Sequence, residues 1–221
     1  LLGFLGVLLF PLALSLASEA AVGGVFSAGA VGLIIGGVVM SAWGGPQRRI
    51  NGVVGSIAFG FVALLVLGSR GSLIVIGVAL FMINLVIPIA QGSSQAIWQS
   101  KVEPDVQGRV FAVRRVFSAI AVPVSMFLAG PLTDYVFEPL LEPDGALAGS
   151  VGRLIGTGPG RGVGFFFILL GILGIIGTVV AWSYRPLRNL EEEIPDAVLD
   201  EPPVPEPASA ARNPTASNAA E

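Results

Sequence analysis

The chain has 221 residues, 53% of them hydrophobic and only 12% charged, with a mean hydropathy of +0.82. So apolar a composition excludes an ordinary water-soluble globular domain, because most of the chain would be insoluble if it faced water. The net charge of −3 is unevenly spread. Glu191, Glu192, Glu193, Asp196, Asp200, Glu201, Glu206 and Glu221 all lie near the C-terminus, the remainder is mildly basic, and no Lys/Arg run is long enough for a nucleic-acid partner.

In chain order, six apolar runs approach the roughly 20 residues that a helix needs to cross a bilayer. The first, residues 1–17, has no charged leader before it, whereas a signal peptide would need a basic leader and a small-residue cleavage site, so it reads as a transmembrane helix of a longer protein. A short break at Ser18 and Glu19 leads into a glycine-rich run at 22–43, which Gly44, Gly45 and Pro46 stop. Two more runs follow at 50–67 and 73–98, separated by Gly68 to Gly71, the latter run holding Pro88. A charged connection from Lys101 to Arg115 precedes the fifth run, 116–132, and a mixed connection from Thr133 to Gly162 precedes the sixth, 163–184. The expected organisation is a transmembrane domain over residues 1–185 and a cytoplasmic tail over 186–221. That tail is rich in Pro, Ala, Glu and Ser, and too polar to offset the entropy of ordering it.

If the runs alternate sides, one side receives Arg48, Arg49, Lys101, Arg109, Arg114, Arg115, Arg185 and Arg188, and the other only Arg70, Arg153 and Arg161. The positive-inside rule places the first group, and with it the C-terminus, in the cytoplasm of a plasma-membrane protein.

Within the fourth run, Asn84, Pro88, Gln91 and Gln95 recur at steps of four, three and four and share a helix face. An amide facing lipid would forfeit its hydrogen bonds at about 1–3 kcal/mol, so this face looks at protein or water. It either lines an aqueous substrate pathway or bonds to neighbouring helices. Gly32 and Gly36 in the second run, and Gly171, Gly174 and Gly177 in the sixth, read as strips for close helix packing. Gly156, Gly158 and Gly160 are superficially like a phosphate-cradling loop, but neither the preceding strand nor a Lys-Ser/Thr pair is there. Glu19 and Asp134, the acids nearest the apolar runs, fall at their outer ends, so no proton-coupling carboxylate is assigned.

Histidine and cysteine are both absent. This removes the commonest general base, the commonest metal ligands and the thiolate nucleophile. With no paired acids inside the apolar runs, no catalytic residue, cofactor or metal site is expected, and an enzyme reading has no footing.

The connection after the fourth run reads QAIWQSKVEPDVQGRVFAVRRVFSAIAVP. Its Pro104, Gly108, Arg109, Val110 and Phe111 resemble the corresponding cytoplasmic loop of major facilitator transporters in the macrolide-efflux and enterobactin-exporter branch. Gln107 stands where that branch often has Arg, and only Arg48 and Arg49 match the superfamily's earlier Asp-Arg-x-Gly-Arg-Arg loop. The resemblance implies an all-α membrane protein, a six-transmembrane-helix bundle corresponding to helices seven to twelve of a twelve-helix fold. It further implies a secondary transporter that exports a small amphipathic compound or drug by alternating access and proton exchange. The partners it implies are the lipid bilayer, a missing N-terminal six-helix half and a small-molecule substrate. The fourth run would be helix ten, one of those that line the cavity, which brings Asn84, Gln91 and Gln95 to the pathway. Arg109, Arg114 and Arg115 would meet lipid phosphates or acids of the other half. The competing possibility is a self-sufficient six-helix protein that forms a homodimeric pore.

Overall fold

The computed structural model describes residues 2–197, and among them every regular element is helical. The first, α1 (Leu2–Leu14), has 13 residues. At 1.5 Å per residue it is about 20 Å long, short of the roughly 30 Å hydrocarbon core. Next, α2 (Glu19–Trp43) starts with Glu19 in its first turn, where the helix dipole favours a carboxylate, and ends at Gly44. Gly44 takes φ 77°, a left-handed conformation that suits glycine, and its N–H donates to the Met40 carbonyl at 2.9 Å. Then come α3 (Arg49–Ser69) and α4 (Leu73–Lys101). Pro88, inside α4, has no N–H to give the Asn84 carbonyl.

Only Val102 and Glu103 separate α4 from α5 (Pro104–Leu132), which runs on through a π-helical turn (Thr133–Phe137) to Leu140. The fifth membrane helix therefore begins well before residue 116, and most of the stretch expected to be a charged loop is helix. Arg109, Arg114 and Arg115 lower the local hydropathy, yet arginine is a good helix former. Pro104 in the first turn needs no backbone donor, and Asp105 complements the dipole there. The last long helix is α6 (Arg161–Ser183), followed by two one-turn helices, α7 (Arg185–Arg188) and α8 (Leu190–Glu193). These short helices occupy residues expected to open the unstructured tail, and residues 198–221 of that tail lie outside the described residues.

Among the described residues five helices, α2 to α6, are long and apolar enough to cross a membrane. They pack with α4 between α2 and α3, with α6 on the far side of α3, and with α1 against α5. The core runs through Leu9 and Leu12 of α1, Leu64 and Leu67 of α3, Ile76 and Leu80 of α4, and Phe167 of α6.

The α2–α4 contact is a backbone approach. A Cβ on Gly32 would stand 2.5 Å from the Phe81 carbonyl oxygen, and one on Gly36 would collide with the Leu85 carbonyl. Glycine lets the two helices come this close, which is how apolar helices gain packing energy where lipid competes for their surfaces. The α3–α6 crossing works likewise, with Gly68 against the Gly164 backbone and Gly171 against Phe61 and Leu65, while Gly177 faces open space. The outer surface is strongly apolar: Ile74, Phe117 and Phe127 are each more than 70% exposed. Such a surface is stable in lipid or beneath another apolar partner, not in water.

Candidate functional site

On α4, Asn84, Gln91 and Gln95 share one face, but they spread over about 16 Å of helix and meet different surroundings. Asn84 is half-buried against α2, its Nδ2 3.3 Å from where a Cβ on Gly29 would stand, and it donates to the Leu80 carbonyl of its own helix at 3.0 Å. Gln91 is exposed and lines a groove of about 280 Å³ between α3 and α4. Gln95 is exposed, and among the described residues neither glutamine side chain finds a hydrogen-bond partner. None of the three bonds to a neighbouring helix; the two glutamine amides are free to meet water or a bound molecule.

The groove is apolar along most of its length, walled by Ile57 and Phe61 of α3 and Ile83 and Ile87 of α4. Its polar groups are Ser56, Gln91, Ser94 and the Arg114 guanidinium from α5. Arg114 is fixed there by two contacts: its Nη2 donates to Ser94 Oγ at 2.9 Å, and its guanidinium carbon lies 5.4 Å from the centre of the Trp98 ring. A guanidinium over an aromatic face gains about 0.5–1 kcal/mol at an exposed site. An apolar trough with an amide, hydroxyls and a cation on it suits a molecule with an apolar body and a hydrogen-bonding rim.

The other residues of the charged motif stand apart from the groove. Pro104 is in the first turn of α5, Gly108 faces open space, and Arg115 is exposed. Arg109 is also exposed, beside a shallow hollow that it shares with Trp98, Arg114 and Phe117. Ser94 and Trp98 carried no signal in the sequence beyond their spacing of three and seven residues from Gln91, which places them on the same side of α4.

At the opposite end of the bundle, Gly156, Gly158 and Gly160 all take positive φ (93°, 106° and 79°) and shape the turn into α6. The amides that an anion would need are already occupied: Glu138 Oε1 accepts from the Gly160 N–H at 2.5 Å and Glu138 Oε2 from the Gly162 N–H at 2.7 Å. The anion at this helix N-terminus is the chain's own carboxylate. Asp134 is exposed on the π-helical turn and Glu19 is exposed in the first turn of α2. Among the described residues no group of His, Cys, Asp or Glu could hold a metal ion.

Comparison with known proteins adds a relationship that the geometry alone does not supply. Macrolide efflux protein A of Streptococcus pyogenes is 24% identical to the chain over 164 residues, 73% of this chain and 34% of the relative. The chain is similar to macrolide efflux proteins. A second such protein, from Enterococcus faecalis, is 27% identical over 99 residues, 44% of this chain and 31% of the relative. The chain thus spans about a third of the length of the curated relatives it matches. No family model matches it, and no solved structure does. With the five membrane-capable helices among the described residues, this similarity indicates a multi-pass membrane protein.

Proposed function

We propose that the chain is one half of a major facilitator transporter, its six helices α1 to α6 corresponding to helices seven to twelve, and that the whole protein exports a small amphipathic compound. The observation that carries this reading is the similarity to macrolide efflux proteins along most of this chain but only a third of theirs. An N-terminal six-helix half would supply the opposite wall of the pathway. In this reading α1 stands for the first span although only 13 of its residues are helical, and the basic end of the bundle faces the cytoplasm of the inner membrane. Transport proceeds by alternating access, with substrate held between the halves. Proton exchange drives it, through carboxylates of the other half, since Glu19 and Asp134 are exposed and peripheral here.

The substrate-pathway residues in this reading are Asn84, Gln91 and Gln95 of α4, and Gln91 on the α3–α4 groove is the one best placed to bind. Macrolides, after which the similar efflux proteins are named, are the first compounds to try. Cells producing the full-length protein are expected to expel a macrolide or a lipophilic dye, and Gln91→Ala is expected to lower efflux several-fold at unchanged membrane abundance. Asn84→Ala, which removes a bond internal to α4, is expected to act through stability instead. Full efflux by Gln91→Ala, Asn84→Ala and Gln95→Ala alike would remove α4 from the pathway.

A further inference from the structure

After Ser183 the chain folds back across the ends of α3 and α4, and residues 191–197 make the polar contacts there. The Glu191 carboxylate accepts from the backbone N–H groups of Arg49 at 3.0 Å and Ile50 at 3.3 Å, the first two residues of α3. Those donors have no partner inside their own helix, and the dipole favours an anion beside them. Glu192 Oε1 meets Arg48 Nη2 at 2.6 Å. Lys101, the last residue of α4, has three N–H bonds to give. Two go to acceptors on this segment, the Glu191 carbonyl at 2.9 Å and the Ile194 carbonyl, and the ammonium is also ion-paired with Asp196 Oδ1 at 2.9 Å. The Ala197 N–H then donates to the Ser100 carbonyl at 2.9 Å.

Beneath these bonds, Leu187, Leu190 and Ile194 face Ile50 and Trp98 across a cavity of about 400 Å³. Val53 and Ser94 line both this cavity and the groove that carries Gln91. The segment therefore covers one end of the space between α3 and α4.

We propose that residues 185–197 form an electrostatic strap that closes the basic end of the α3–α4 groove and opens when its carboxylates are neutralised or screened. The contacts fit a device that releases. Glu192, Arg48 and Asp196 have side chains 60%, 57% and 73% exposed, so their ion pairs are weak singly and sensitive to salt. Helices of one turn, such as α7 and α8, do not hold together by themselves; their seat depends on Arg48, Arg49 and Lys101 and on three apolar side chains. That the strap controls access to a substrate rests on the export reading above; that it closes and opens does not.

The chain has no cysteine, so spin labels are placed on a Ser100→Cys/Ala197→Cys pair in the purified full-length protein in lipid nanodiscs, with every cysteine outside this chain replaced by serine. At low salt a single short distance is expected. Raising salt to about 1 M, or introducing Glu191→Gln/Glu192→Gln/Asp196→Asn, is expected to raise the long-distance population about fivefold. Lys101→Met, which removes the cation and leaves the carboxylates in place, is expected to open the strap in the same way. A short distance unchanged by salt and by both variants would overturn the strap, and so would a long distance in the unmodified protein at low salt. Because the readout is a distance, a strap that opens as described in a protein that exports nothing would sink the export reading and leave the strap standing.

Discussion

Single atoms set the tightest constraints in this bundle. Gly36 has the Leu85 carbonyl where a Cβ would go, whereas Gly37, its neighbour, has nothing within 4 Å. Gly36→Val is therefore expected to push α2 from α4 and lower stability by about 1–3 kcal/mol, the usual cost of overpacking. Gly37→Ala is expected to be neutral or mildly stabilising, since alanine is the better helix former. Thermal unfolding in the same detergent separates the two, and equal loss in both would contradict the close approach. The spacing of Gly32 and Gly36 was legible in the sequence as a packing strip. Which helix it met was not, because a glycine carries no mark of its partner. The amides show the same limit: periodicity put Asn84, Gln91 and Gln95 on one face, but only the arrangement of α2 and α3 decides that Asn84 bonds within α4 while Gln91 lines the groove.

At the scale of elements, the ends of the helices hold what hydropathy could not reveal. Both α3 and α6 have their first amides satisfied by a carboxylate distant in sequence, Glu191 for the one and Glu138 for the other. Local capping rules look one to three residues upstream of a helix and cannot see such partners. Glu138→Ala is expected to cost about 1–2 kcal/mol, the worth of a good N-cap, while Glu142→Ala, at an exposed residue of the same connection, is expected to cost little. Chemical or thermal unfolding of the two variants checks this, and indistinguishable midpoints would show that the carboxylate contributes nothing to α6. The fifth helix illustrates the converse error. Charged residues lowered the hydropathy of 104–115 enough to suggest a loop, although Pro104, Asp105 and the arginines are all suited to the start of a helix.

For the molecule as a whole, the packed helices bring Arg48, Arg49, Lys101 and the segment after α6 together at one end, as their mutual bonds require. Arg161 and Glu138 mark the other end. If the basic end is cytoplasmic, a single cysteine in Asn189→Cys is expected to react with an impermeant maleimide only after cells are permeabilised. One in Ser150→Cys is expected to react from outside in intact cells. The reverse pattern would invert the topology and with it the assignment of the strap to the cytoplasm. The exposed apolar face of α5, with Phe117 and Phe127 uncovered, is a surface that lipid or an adjoining half would cover.

Composition and hydropathy by themselves determined that the chain lives in a membrane, roughly where its helices run and which connections are basic, because these depend on local sums over 20 or so residues. The motif from Pro104 to Phe111 resembled that of a transporter family from residue identity alone. What only the tertiary structure decided is which residues distant in sequence meet: Glu191 on α3, Glu138 on α6, Arg114 between Ser94 and Trp98, Gly36 on Leu85. The physical reason is that apolar surface drives helices into lipid without specifying neighbours. Neighbours are selected afterwards by backbone fit and by the few polar groups that must find partners where water is scarce.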